Sequence, residues 1–244
     1  MRHEERTRLL ARALERAERR LCAEPCPYLP GRAARLNLIA PGPLVPGTYH
    51  CLMDLNFRRL GPMFYRPECE GCRECRMIRV EVAAFRPSRS QRRCLARNAD
   101  MALASGPPRA TRQKHALYQR YLERRHDGRM DGSPREFGVL YSSAVETVEF
   151  VYTLRDRLVG VGLADVEPDA MSAVYAYFEP DEARRSLGTF NILQLIAECG
   201  RRGLRYLYLG YYVRDCGRMS YKRSFRPCEV LSPDGRWREP LQNE

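Results

Sequence analysis

Cys69, Cys72 and Cys75 form a Cys-x-x-Cys-x-x-Cys run, and Cys26 stands upstream between Pro25 and Pro27. Three thiols at this spacing can converge on one ion, and a fourth from a distant loop closes a tetrahedral site. The same four sulfurs could hold an iron–sulfur cluster, and spacing does not choose between zinc and iron. Cys22 is a spare ligand, whereas Cys51, Cys94, Cys199 and Cys228 read as core thiols. Cys216 is either a packed or a catalytic thiol.

A second concentration of functional groups lies between Leu204 and Pro227. Tyr206, Tyr208, Tyr211 and Tyr212 occupy a strand-like run, and Tyr221 and Lys222 follow it. The only other lysine is Lys114, which leaves 40 arginines among the 42 Lys and Arg residues. In so biased a chain, a retained lysine points to a place where a compact ammonium does what a planar guanidinium cannot. Asp165 ends an expected strand, where it either positions an amine or pairs with a neighbouring arginine. His126 in Arg125-His126-Asp127-Gly128 is either a base or a cation capping a helix end.

Basic clusters supply a third kind of chemistry. Ser88-Arg89-Ser90-Gln91-Arg92-Arg93 opens an expected helix, where arginine forks, hydroxyls and free backbone N–H groups all suit phosphate. Arg58 and Arg59 offer another point for a carboxylate or phosphate. Arg185-Ser186-Leu187-Gly188-Thr189 resembles the turn that holds the coenzyme A pyrophosphate in GNAT acyltransferases. Phe190 stands where that turn needs a second small residue, which speaks against coenzyme A.

These groups need elements to hold them. Leu9, Leu10, Ala13, Leu14, Ala17 and Leu21 recur at helical spacing, so an amphipathic helix opens the chain. Alternation over residues 76–85 predicts a half-buried strand, and helices are expected from near Ser88 and around Leu117–Arg125. Ser105–Pro108 is the expected boundary between a cysteine-containing N-terminal region, 1–104, and a catalytic domain, 105–244. In the second part, strands are predicted at Phe137–Tyr141, Val148–Leu154, Leu158–Val166 and Met171–Phe178, the last two joined by a hairpin turn. A helix carrying Thr189, Ile192, Leu193 and Ile196, the tyrosine-rich strand and a short helix around Met219–Arg223 complete an α/β order of the GNAT type.

The 244 residues carry a net charge of +12, which points to a polyanionic partner, nucleic acid first. No window approaches the ~18 consecutive apolar residues of a membrane span. The first 21 residues lack the apolar centre of a signal peptide and hold four glutamates, so a cytoplasmic protein is expected. In that compartment the ten cysteines read as thiols or metal ligands, not as a disulfide frame.

Taken in order, these segments resemble the arginyl-tRNA–protein transferase family, and within it the bacterial branch. The likeness rests on Cys26-Pro27-Tyr28-Leu29-Pro30, Phe57-Arg58-Arg59, Tyr65-Arg66-Pro67 with the cysteine triplet, and Ser88–Arg93. It continues through Arg125–Gly128 with Met130, Phe178-Glu179-Pro180, Arg185–Thr189, and Tyr208–Tyr212 followed by Met219, Tyr221 and Lys222. Arg218, Leu60 and Glu179 are mild departures from the family's usual lysine, serine and aspartate. The resemblance implies a GNAT-like domain that takes aminoacyl-tRNA instead of acyl-coenzyme A and needs no cofactor for its chemistry. It implies transfer of leucine from its tRNA ester to the α-amine of a protein beginning with Asp or Glu, marking that protein for degradation. Arginine is the alternative donor amino acid.

Under that resemblance, Tyr211, Lys222 and Asp165 are the expected catalytic group, with backbone N–H groups or the Tyr211 hydroxyl as donors to the oxyanion and Lys222 a contact to the tRNA 3′ end. Arg58 or Arg79 would clamp the acceptor's side-chain carboxylate. Arg59, Arg89, Arg92, Arg93, Arg185 and Tyr221 join the substrate- and tRNA-binding set, and Cys26, Cys69, Cys72 and Cys75 the metal site. Two other readings compete: a coenzyme A-dependent acetyltransferase, and a non-enzymatic metal-binding protein that binds RNA or senses redox state.

Overall fold

The computed structural model describes residues 2–125 and 131–240. Two sheets organise the chain. The smaller takes strands β1 (Arg20–Pro25), β2 (Ala33–Ile39), β3 (Arg58–Leu60) and β4 (Met63–Pro67) in the order β1-β2-β4-β3, all antiparallel. Helix α1 (His3–Arg16) precedes it, and α2 (Thr48–Asp54) lies between β2 and β3.

The larger sheet has eight strands, ordered β12-β11-β5-β10-β9-β8-β7-β6. They are β5 (Arg76–Glu81), β6 (Ala102–Gly106), β7 (Thr147–Leu154), β8 (Arg157–Glu167), β9 (Ala170–Phe178), β10 (Tyr206–Tyr212), β11 (Cys228–Leu231) and β12 (Trp237–Arg238). Pro168 and Asp169 close the β8–β9 hairpin, where Glu167 faces Ala170. Parallel neighbours need a crossover, and α6 (Leu187–Arg202) supplies it between β9 and β10. Gly203 ends α6 in the left-handed region at φ +69°.

Helix α3 (Arg89–Arg97) starts at a capping box: the Ser88 side chain accepts from the Gln91 N–H, and Gln91 returns to the Ser88 N–H. Helix α4 (Arg112–Arg125) and α5 (Pro134–Tyr141) cover the β8–β9 region with a core of Leu117, Tyr118, Phe137 and Tyr177. The retained Lys114 is structural: it is buried, ion-paired to Glu149 at 2.5 Å and bonded to the Arg109 carbonyl. Helix α7 (Gly217–Ser220) and a 3₁₀ turn at Tyr221–Ser224 follow β10.

Two expectations change. Phe137–Tyr141 is helix, not strand, because Ser133 caps the Glu136 N–H and Pro134 sits in the first turn. That signal outweighs the short apolar alternation. Strand β5 is not half-buried; Met77, Ile78, Arg79 and Val80 are all buried, since β10 and β11 flank it and both faces are covered. The Ser105–Pro108 boundary falls at the end of β6, itself a member of the large sheet, and β5 from the first part lies well inside that sheet.

Candidate active site

The centre of the site is a gap in the large sheet. Strands β9 and β10 pair only where Tyr206–Tyr208 meet Ala170–Ser172, and beyond that they separate. Arg58 fills the opening: its Nη2 donates to the Ala173 and Val174 carbonyls at 3.2 and 3.0 Å. Gly210 makes room on the other side. It lies at a bulge in β10 with φ +80°, and a Cβ there would sit 1.3 Å from Arg58 Nη1. Arg58 is half-buried, no carboxylate pairs with it among the described residues, and its buried Nε has no partner.

Alternation along β3 sends the next arginine elsewhere. Arg59 is buried and grips Asp165 through two bonds of 2.7 and 2.8 Å, with its Nη1 on the Gly61 and Ser142 carbonyls. Burial pushes the Asp165 carboxyl's pKa up, and Arg59 and the Thr147 hydroxyl oppose that shift. Of its two expected roles, Asp165 takes the ion pair; a wholly buried carboxylate held by Arg59 has no face for an incoming amine. Arg59 is likewise closed to substrate.

Tyr211 and Lys222 stand behind Arg58. The Tyr211 hydroxyl is buried and donates to the Asn56 and Tyr65 carbonyls at 3.0 and 3.2 Å. These two carbonyls hold the hydroxyl that the sequence offered as an oxyanion donor, and the ring forms a wall, with the Arg58 guanidinium carbon 5.9 Å from its centre. Lys222 Nζ donates to the Tyr211 carbonyl at 2.6 Å. It is buried with no acidic partner among the described residues, and burial together with the Arg58 charge holds its pKa well below 10.5. It braces the site from behind, with its Nζ on a backbone carbonyl and not at the surface. Tyr221, by contrast, is 45% exposed beside them.

Arg79 is not free either. It bonds Glu229 and Tyr208, lies 3.5 Å from Asp54, and is sandwiched between the Tyr206 and Trp237 rings at 3.8 and 4.0 Å. Arg185 is held by Asp100 at 2.7 and 2.9 Å and by Glu182. Its ion pairs make it a brace between α3 and α6 instead of a phosphate ligand. Arg89, Arg92 and Arg93 are exposed on α3. There Arg93 and Ser90 share a polar cavity of about 350 Å³ with Ser186 and Thr189, so two basic segments far apart in sequence meet.

All four expected metal ligands line a second, largely apolar cavity of about 230 Å³. The Leu29 N–H donates to Cys26 Sγ at 3.4 Å and the Arg35 N–H to Cys69 Sγ at 3.3 Å, bonds that suit thiolates. Burial and the other three thiols push Cys75 up to about 12. Four thiols on the wall of one cavity are a donor set that fits a thiophilic metal or cluster. Among the described residues no three of these sulfurs lie within 4.8 Å of one another, wider than the ~3.8 Å edge of a tetrahedral zinc–thiolate site. A single ion would draw the loops inward. Cys216 is buried in the turn before α7.

Sequence reasoning missed a polar clasp at the N-terminus. His3, His50 and Asp54 hold ligand-type atoms within 4.8 Å of one another. His3 Nε2 meets Asp54 at 2.8 Å, Tyr208 donates to Asp54 at 2.5 Å, and burial lowers His50 to about 4. Closed by its own bonds and with Arg79 alongside, the group works as an ion-pair clasp. The i, i+4 spacing of His50 and Asp54 on α2 was its only local signal. His126 and its neighbours through Met130 lie outside the described residues.

The family described as Arginine-tRNA-protein transferase matches this chain, its N-terminal part over residues 24–93 and its C-terminal part over residues 113–232. The chain is 41% identical over 222 residues to the aspartate/glutamate leucyltransferase of Halorhodospira halophila, covering 87% of this chain and 92% of that protein. The same-named proteins of Pseudomonas savastanoi and Marinobacter nauticus are 41% and 40% identical, each over 92% of their own length. Among solved structures, FemX superposes with a TM-score of 0.47 at 9% identity, over 90% of this chain and 85% of that one.

Proposed function

The chain belongs to the arginine-tRNA-protein transferase family, and from that membership we infer that it passes leucine from leucyl-tRNA to the α-amine of proteins beginning with aspartate or glutamate. It is an aminoacyltransferase. The product is a protein with a new N-terminal leucine, a mark for degradation in the cytoplasm. A sheet whose parallel β9–β10 pair splays open, with α6 crossing between them, supports a GNAT-like domain.

One observation carries the acceptor side of this reading. Arg58 is a half-buried cation at the sheet gap with no carboxylate partner among the described residues, whereas Arg59 and Arg79 are both ion-paired. A guanidinium in such a place favours a planar carboxylate that can accept two of its N–H groups. The side chain of an N-terminal Asp or Glu meets that need and brings the adjacent α-amine to the ester. The neutral amine nitrogen attacks the ester carbonyl and forms the amide. The ester C–O bond breaks, and the tRNA 3′-terminal oxygen leaves with the proton the nitrogen gives up. With an amine pKa near ~8 and an activated ester, positioning supplies most of the acceleration.

Exposed Arg89, Arg92 and Arg93, with the polar cavity beside α3, hold tRNA phosphates; tRNA affinity then falls steeply with salt. Cys26, Cys69, Cys72 and Cys75 hold zinc or an iron–sulfur cluster. Such a group serves to pin their two loops against each other, not to do the transfer.

The test pairs leucyl-tRNA with peptides beginning Asp, Glu, Asn or Ala. Wild-type protein should leucylate the first two. Arg58→Ala should lower kcat/KM for them about 100-fold or more, leaving the slow neutral peptides unchanged. Gly210→Ala, which crowds Arg58 out of the gap, should do the same. A wild-type protein inert towards acidic peptides would sink the transferase reading, and an Arg58→Ala protein that keeps its acid preference would sink the clamp.

A further inference from the structure

The apolar cavity beside the cysteines has two unlike ends. Its floor is one face of the small sheet, because alternate residues of a strand share a face. Leu36 pairs with Pro67, Leu38 with Tyr65, and Leu60 with Met63. Pro67 leads into Cys69, so that end belongs to the thiols, and Glu24, facing Ala34 across β1–β2, also sits there. The other end is aliphatic.

Leu60 and Met63, at 47% and 39% exposed, form its lip. Neighbouring large apolar side chains left in water beside a cavity suggest an apolar occupant. Tyr211 lines the same cavity, and its ring also faces Arg58.

We propose that Leu38, Leu60 and Met63, with the Tyr65 ring, form the pocket for the leucyl side chain of the donor. This rests on the aminoacyl-transfer reading and says which surface selects the amino acid. An isobutyl group entering over Leu60 and Met63 leaves its carbonyl at that lip, and Arg58, two residues before Leu60 on the same face of β3, lies on that side. An arginyl side chain fits the aliphatic end poorly. Glu24 is the one carboxylate among the described lining residues, it lies at the thiol end, and burying an unpaired guanidinium is costly.

Binding of non-hydrolysable 3′-amide-linked leucyl-, alanyl- and arginyl-adenosine to the full-length protein, followed by calorimetry, tests this without any transfer step. Wild-type protein should bind the leucyl compound more tightly than the arginyl one. Met63→Glu should weaken the leucyl compound at least 10-fold and improve the arginyl one. Leu38→Phe, which fills the pocket, should weaken the leucyl compound 10–200-fold and spare the alanyl one. Leu60→Glu repeats the charge test at an exposed position where folding is not at issue. The inference is overturned if wild-type protein does not prefer the leucyl compound, or if the variants weaken all three compounds equally. A protein that binds as expected but transfers no leucine to acidic peptides would instead overturn the transferase reading.

Discussion

Lys222 shows how a single side chain can be retained for reasons other than contact with substrate. Its Nζ supports the Tyr211 carbonyl in a buried setting that holds no acidic partner among the described residues, with the Arg58 charge nearby. Because its pKa is lowered on folding, the folded protein binds fewer protons than the unfolded chain at any pH between that lowered pKa and the ordinary value. Stability must therefore rise with pH towards the ordinary value of 10.5, by up to about 1.4 kcal/mol per unit. Lys222→Met removes this slope. The melting temperature of the variant relative to wild type should fall as pH increases from 6 to 9, at roughly 2–4 °C per kcal/mol. A difference that stays constant across that range would mean the buried amine keeps its proton.

Helix α1 is held less by its own packing than by its first residue. Leu10 and Leu14 rest against the core around Tyr49 and Phe64, and none of its residues is fully buried. His3 supplies the tether, and its hydrogen bond to Asp54 raises its pKa from 6.5 to about 10. Burial pushes Asp54 up, but the His3 and Tyr208 bonds prevail and hold it below the usual carboxylate range. The His3 contribution is complete below about 6.5 and is lost progressively as pH rises through about 10. At the acid end it is lost once Asp54 takes a proton. Trypsin cleavage at Arg8 and Arg12 should therefore accelerate in wild-type protein between pH 7 and 10, relative to a His3→Ala control, which should be cut quickly throughout. Equal cleavage of the two proteins at pH 7 would show that the tether carries no weight.

The large sheet makes one cooperative body of segments that a domain division at residue 104 would separate. Strand β5 pairs with β10 on one side and β11 on the other, and Arg79 from β5 ties β11 through Glu229. A fragment of residues 105–244 lacks that strand, exposing the edges of both neighbours and the apolar faces that Ile78 and Val80 cover. It should be aggregated or molten, without a cooperative melt, while the whole chain unfolds in a single transition by circular dichroism. A soluble fragment with a sharp melt would show that the second part folds on its own.

Much of this molecule was legible from local pattern. The β8–β9 hairpin follows from Glu167-Pro168-Asp169-Ala170, α6 from its apolar spacing and terminal Gly203, and the tyrosine-rich run is indeed β10. The ordered motifs also identified the family, because residue type and spacing survive as text. Which charges are free did not. Arg58 and Arg59 are adjacent and chemically alike, yet one fills a sheet gap with no carboxylate partner among the described residues and the other is closed by Asp165, 106 residues away. Tyr211 and Lys222 stand out in the sequence, but their accessibility depends on Asn56, Tyr65 and the bulge at Gly210. A side chain's availability is set by what long-range pairing packs against it, and only the folded chain decides that.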